Sequence, residues 1–337
     1  MGYIKCPRCD LNYIPDSEKL CVVCKSQIRY IEPVKRRDVE YIYDYICRIY
    51  SDFLQYLNTT DTLCDLKSFT FEGGSLPDYS NIHVRQLYLL RYAYAYAYEY
   101  KFIYMNLLQN YKVGPNISVT SIGCGNMIDY WSLVEALHES NNDNCVIDYK
   151  GLDLINWEYK VKARVDDTVD FIHCSAIDYF NGIDQFDSDI FIFPKSISEF
   201  SSGDFDKLCD CFKNKPILKD KICLIVSIRP IDKWERKDVD RVAKIVSSIC
   251  SNGFYTEDNP NICYHHNRTE ANIYYIDSQF KYPLHIIDTV SNLTSRCVTD
   301  KIDKTSCNGC NNINRSPMLN ASYMEYQKFI FCREKQK

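Results

Sequence analysis

Two groups of residues have the types and spacing to do chemistry. Cys6-x2-Cys9 and Cys21-x2-Cys24 are separated by eleven residues. Two such pairs place four soft ligands at tetrahedral reach for Zn2+. A segment this short cannot build a core alone, so metal binding would supply its folding energy. Four thiolates close the coordination sphere, which argues for a structural ion and against a catalytic one. The second group is the stretch VTSIGCGNMIDYWSLVEAL, residues 119–137, where β-branched residues run through Gly123-Cys124-Gly125 into a helical pattern. A turn of this kind brings backbone N–H groups and a helix N-terminus up to a ligand. Glycines there remove side chains where the ligand approaches.

The turn is a poor dinucleotide loop. That fingerprint wants a third glycine at 128, where Ile128 stands, and an acid about 20 residues on. The acid present, Asp153, follows Gly125 by 28 residues. A third cysteine pair, Cys307-x2-Cys310, has Cys297 ten residues before it. Cys263, His265, His266 or Cys332 could complete a second metal site; the alternative is a reduced, metal-free loop.

The elements that must position these residues divide the chain into three regions: a cysteine-paired module over 1–32, a helical lead-in over 33–112 and an α/β domain over 113–337. In DVEYIYDYICRIYSDFLQYL, apolar residues at 42, 46, 49, 53, 54 and 57 have helical spacing. FEGGSLPDYSN reads as a loop. QLYLLRYAYAYAYEYKFIYMNLLQNY alternates Ala and Tyr over 93–98, yet it is too long for a strand without Gly or Pro. It predicts one long helix, with Tyr92, Tyr96 and Tyr100 at i, i+4 spacing. A packing role fits it better than an aromatic platform for nucleic-acid bases.

Beyond 113, strand candidates are ISVTSIG, DYKGLDL, VDFIHC, DIFIFP and KICLIVSI, with NIYYID and YQKFIFCR late. Helix candidates begin near Met127, Asp204 and Asp238, the last stopping at Asn252-Gly253. This alternation predicts a doubly wound, mostly parallel seven-stranded sheet with helices on both faces.

Bulk properties agree with a globular protein. The chain has 337 residues, 46% hydrophobic and 25% charged. Its net charge of -5 argues against a broad nucleic-acid-binding surface. Residues 1–37 differ, with eight Lys+Arg against four Asp+Glu, including Lys35, Arg36 and Arg37. The sequence MGYIKCPRC has no apolar signal region, so a cytoplasmic protein with reduced thiols is expected for its 18 cysteines. No run has the length and apolarity of a membrane span.

SIGCGNMIDYWSL resembles the first motif of class I S-adenosylmethionine-dependent methyltransferases: a strand, Gly-x-Gly, and an Asp four residues on. The resemblance continues in order over about 220 residues. GLDLINW is similar to the second motif, FIHCSAIDYF to the third, and DIFIFPKSISEF falls at the fourth. YQKFIFCR suits the family's antiparallel last strand. The resemblance implies a cofactor site of Gly123, Cys124, Gly125, Asp129, Asp153, Ser175, Ala176 and Pro194. Asp153 would bond the ribose hydroxyls, and Ser175 and Ala176 would border the adenine. Lys195, Ser196 and Glu199 would lie beside the transferring methyl, with Glu199 and Lys195 the catalytic candidates. Asn126-Met127 replaces the family's frequent Pro-Gly. Neither an Asp/Asn-Pro-Pro-aromatic motif nor a Pro-Cys after the fourth strand is present, which weighs against two routes of DNA-base methylation.

The expectation is a methyltransferase with a zinc ribbon and a helical segment over the cofactor mouth, acting on an unidentified acceptor, RNA or protein being the candidates. The competing expectation is an inactive methyltransferase-like scaffold whose ribbon binds nucleic acid or a protein partner. A nucleotide-sugar or NAD enzyme is third.

Overall fold

The computed structural model describes residues 3–5, 13–15, 39–69, 76–229, 232–265, 282–297, 310–319 and 324–334. Cys6, Cys9, Cys21 and Cys24 lie outside the described residues, as do Lys35, Arg36, Arg37, His266, Cys307 and the candidate strand NIYYID. The chain forms two compact units, Met1–Ala95 with Ile273–Leu319, and Tyr96–Asn272 with Asn320–Lys337.

The first unit holds a short antiparallel pair, β1 (Tyr3–Lys5) and β2 (Tyr13–Pro15). Its helix α1 (Ile42–Thr59) buries Ile42, Ile46, Ile49, Phe53 and Leu57, the stripe set by the apolar spacing. The long helix α2 spans Ile82–Leu108, so length outweighed the Ala-Tyr alternation. Its residues to Ala95 belong to the first unit and those from Tyr96 to the second. Within the second unit Ala97, Tyr100, Ile103, Tyr104 and Leu107 are all buried. The tyrosines are packing residues here; Tyr96 and Tyr100 rings lie 6.0 Å apart. Helix α7 (Leu284–Ser291) completes the first unit's helices among the described residues.

The second unit is built on a sheet. Its strands are β3 (Asn116–Ile122), β4 (Val146–Asp153), β5 (Thr168–His173), β6 (Ile190–Pro194), β7 (Lys221–Ile228), β8 (Phe254–Tyr255), β9 (Tyr264–His265) and β10 (Glu325–Arg333). The hydrogen-bonded order is β5-β4-β3-β6-β7-β10-β8, and β9 also pairs with β10. The five strands from β5 to β7 are parallel. β10 runs antiparallel to β7 from Glu325 opposite Ile228 to Cys332 opposite Lys221. This is the expected doubly wound sheet with an antiparallel last strand.

Helices α3 (Ile128–Glu139), α4 (Ala176–Gly182), α5 (Ser202–Asn214) and α6 (Asp232–Ser251) connect the strands. Two start on serine caps: Ser175 Oγ accepts from the Asp178 amide and Ser201 Oγ from the Asp204 amide. α6 ends just before Gly253, whose φ of +83° terminates it. The core around β6 and β7 is aromatic and aliphatic, with Phe180, Phe191, Phe212, Leu224 and Ile245 fully buried.

The topology decides where a ligand can bind. From β3 the chain steps through β4 to β5 on one side, then returns to lay β6 on the other side of β3. In a sheet of this kind a ligand crevice is expected outside the carboxyl ends of β3 and β6, at the point where the order reverses.

Candidate functional site

Both loops at that crevice are bent into the left-handed region. Gly123 and Gly125 follow β3 with φ of +74° and +56°, and Met127 follows them at +62°. Lys195, directly after β6, has φ of +60°. Among the described residues the positive-φ positions otherwise comprise Asn141 and Gly253. Left-handed backbone costs a non-glycine residue about 1–2 kcal/mol. Strain of this kind concentrates at functional sites.

Gly123 is a glycine for a reason internal to the chain. A Cβ there would stand 2.9 Å from Ser196 Oγ, and the Ser196 Cβ fills the same space. The Ser196 hydroxyl donates to the Ile122 carbonyl. The loop after β6 is thus packed directly into the turn after β3. At Gly125 the nearest atom to a Cβ would be in the Trp157 ring, at 4.0 Å, an ordinary contact. Its requirement for glycine is conformational.

Asp153 ends β4 and faces this turn. Its Oδ2 accepts from the Gly125 amide at 2.8 Å and its Oδ1 from the Ile155 amide at 2.7 Å. Burial raises its pKa, opposed by the hydrogen bonds from the Ile155 and Gly125 amides. The segment after β4 then folds along the turn, with the Val161 amide donating to the Asn126 carbonyl at 3.1 Å. It is pinned by Arg164 and Asp167, paired at 2.8 Å, and by Tyr130, which donates to Asp167 at 2.6 Å.

Asp129 is fully buried beneath the turn. Both its oxygens accept from the Tyr149 hydroxyl, at 2.9 and 3.0 Å. Burial lifts its pKa to about 6, against the hydrogen bond from Tyr149 that lowers it. Cys124 is buried too, its sulfur in the space where a Cβ on Gly151 would lie 2.8 Å away. Burial pushes this thiol well above the usual range, so it stays protonated.

The raised carboxyl of Asp129 has a consequence for stability. Its folded pKa of about 6 exceeds the ordinary 3.8, so the folded chain binds this proton more tightly. The stabilisation is complete below the unfolded value and is lost as pH rises through the folded one, about 3 kcal/mol in full. Roughly half of it should appear on acidifying from about pH 7.5 to about pH 5. Asp238 on α6, also raised to about 6 by burial, acts in the same direction. Denaturant unfolding at the two pH values should therefore show a shallower dependence in Asp129→Asn than in the parent chain. An identical slope in the two proteins would contradict the burial argument.

On the β5 side, Ser175 caps α4 and donates to Asp178 at 2.7 Å, and Ala176 is buried at the first helical position. His173 Nε2 lies 2.9 Å from the Leu154 carbonyl, tying the ends of β5 and β4 together. On the β6 side, Pro194 is half-buried. Lys195 is buried, with Nζ 2.8 Å from Glu99 on α2 and 2.7 Å from the Ile228 carbonyl. Glu199 keeps 35% of its side-chain surface open and pairs with Arg229, which follows β7. Burial raises its pKa, Arg229 lowers it and the nearby Asp153 carboxylate raises it further.

The fold therefore brings Gly123, Cys124, Gly125 and Asp153 together at the turn after β3, and Pro194 and Glu199 to the end of β6 and the loop after it. It sets Asp129 below the turn and commits the Lys195 ammonium to a buried pair. Glu99, Trp157, Ser196 and Arg229 complete the arrangement. Of these, Ser196 carried a sequence signal, its place after the fourth strand; the others join the site from separate elements.

Among the described residues no helix is long and apolar enough to cross a membrane, and no group of three or more His, Cys, Asp or Glu is arranged to hold a metal ion. No family model and no curated protein matches this chain. Solved structures do. The plantazolicin methyltransferase BpumL in complex with SAH is similar at 10% identity and a TM-score of 0.40, covering 85% of this chain and 100% of its own. A SAM dependent methyltransferase from Archaeoglobus fulgidus is similar at 15% identity and 0.34, over 69% and 94%. Loganic acid methyltransferase with SAH is similar at 9% identity and 0.35, over 74% and 96%.

Proposed function

We propose that the chain is an S-adenosylmethionine-dependent methyltransferase acting on an unidentified acceptor, RNA or protein. The observation that carries this reading is the pairing of Asp153 with the Gly125 amide at the switch-point crevice, 2.8 Å apart. It fixes one carboxylate at the turn, where the two hydroxyls of a ribose would reach it. A carboxylate has about four acceptor positions, and the two bonds to backbone amides leave it able to accept from such hydroxyls. The glycine turn lies beside it, its Gly123 and Cys124 amides donating to the Leu152 carbonyl at 2.8 and 3.1 Å, and Ser175 and Ala176 border the neighbouring strand end.

When bound, S-adenosylmethionine supplies an electrophilic methyl group. The chain's own work is to hold the acceptor in line with it, which provides most of the rate in such a transfer. Glu199, partly exposed and raised by burial, is the group placed to take a proton from the acceptor. Lys195 serves that loop by holding it, since its Nζ is spent on Glu99 and Ile228. Zn2+ held by Cys6, Cys9, Cys21 and Cys24 forms a ribbon over 1–32, followed by the helical segment 33–112 and the methyltransferase domain 113–337. Support for the ribbon is the antiparallel pairing of Tyr3–Lys5 with Tyr13–Pro15, strands that flank the first cysteine pair in sequence. The ribbon is the candidate contact for the acceptor.

The test is calorimetry of the intact, zinc-loaded chain with S-adenosylmethionine. Binding heat is expected, with Asp153→Ala weakening affinity about 10- to 100-fold, the range for hydrogen bonds to a charged group. No heat from the parent chain sinks the proposal. One observation favours a second reading, a scaffold that has the fold without the activity: Met127 occupies a left-handed position with its side chain buried at the turn. If Asp153→Ala abolishes binding yet leaves the cellular role intact, the scaffold reading stands.

A further inference from the structure

The buried ion pair on the β6 side is joined to the glycine turn by an unbroken series of contacts. Glu99 lies on α2, within the second unit. Its carboxylate receives the Lys195 ammonium at 2.8 Å and the Ser227 hydroxyl. Lys195 Nζ also donates to the Ile228 carbonyl at 2.7 Å, and the Lys195 amide to the Ser227 carbonyl at 3.2 Å. The backbone of Lys195 is left-handed, at φ +60°. The next residue, Ser196, occupies the space above Gly123 and bonds the Ile122 carbonyl.

A lysine holds left-handed backbone only where its surroundings over-determine it. Here both its side chain and its amide are fixed, and all of Glu99, Lys195, Ser196 and Ser227 are buried. A buried pair is by itself weak evidence for stability. What sets this one apart is its seat on the corner that presses a side chain into the turn.

We infer that Glu99 is a positioning residue for the glycine turn: through Lys195 it fixes the left-handed corner after β6 and so keeps Ser196 seated against Gly123. The site then extends into a helix that precedes the whole sheet in sequence. The geometric claim is independent of the ligand. Its effect on cofactor affinity rests on the methyltransferase reading above.

The chain has 11 glycines, and Ile-Gly and Cys-Gly each occur once. Labelling glycine with 15N, together with 13C-carbonyl Ile or Cys, therefore assigns the Gly123 and Gly125 amides without a full assignment. In the intact chain, Glu99→Ala and Lys195→Met should both move these two resonances while Gly182 and Gly203 stay in place. Glu99→Gln, which keeps an acceptor for Lys195 and Ser227, should move them less. Lys244→Ala, which breaks an exposed pair with Asp206, should move neither. The inference is overturned if Gly123 moves no more than Gly203 in both Glu99→Ala and Lys195→Met. Calorimetry with S-adenosylhomocysteine forms the second arm, where Glu99→Ala is expected to weaken binding about tenfold. If the parent chain fails to bind, the methyltransferase reading falls and the glycine resonances still decide the role of Glu99.

Discussion

Replacing Gly123 by alanine should destabilise the chain by about 2–5 kcal/mol, the sum of a left-handed penalty and an overpacked contact. Both causes act at the one position. The backbone at 123 has φ +74°, and the added Cβ would lie 2.9 Å from Ser196 Oγ. They can be separated. Ser196→Gly in the same chain removes the obstructing side chain and leaves the backbone term. The double substitution should therefore recover the packing part, about 1–3 kcal/mol, relative to Gly123→Ala alone. Denaturant midpoints for the parent, both singles and the double complete the cycle. If Ser196→Gly brings no recovery, the two loops are not in the contact described.

Lys195→Met should cost about 3–5 kcal/mol, because it leaves the Glu99 carboxylate buried without its cation. The magnitude comes from burial. Side-chain exposure is 4% on both partners, so little water can replace the lost charge. Burial pushes the Glu99 carboxyl up and the Lys195 ammonium down, each opposed by the other. Pairing Lys195→Met with Glu99→Leu removes the orphaned charge as well. That double variant should be more stable than Lys195→Met alone, although Ser227 loses its acceptor. A double loss equal to the sum of the singles would show that the two residues do not interact.

The sheet is largely legible in the sequence. KICLIVSI is β7 residue for residue, and DIFIFP differs from β6 by one residue at its start. These strands are buried on both faces, so they appear as continuous apolar runs. The long tyrosine helix was legible by length alone. The glycine turn after β3 was legible as a tight turn, and Asp153 does meet it. What could not be read is which side of the backbone each residue serves. Asp129 has the spacing of a cofactor ligand but packs inward on Tyr149. Gly123 has the look of a cleared approach, yet the clearing is filled by Ser196. Lys195 stands beside Glu199 in sequence, but a left-handed corner sends its ammonium to a helix nearly a hundred positions earlier, an excursion no local pattern encodes. Contacts at such separations follow from the topology of the whole sheet.

The placement of β10 has a consequence for how the chain is made. It is the last of the described strands in sequence, yet it lies between β7 and β8 in the sheet. During synthesis β7 emerges with one row of its backbone groups lacking their eventual partner, and all of 229–324 must follow before Glu325 appears opposite Ile228. Until then the nascent chain carries an exposed strand edge, the kind of surface that captures other chains. The sheet can close only once β10 has been made, and a ribosome that stalls before it would release a product prone to aggregate.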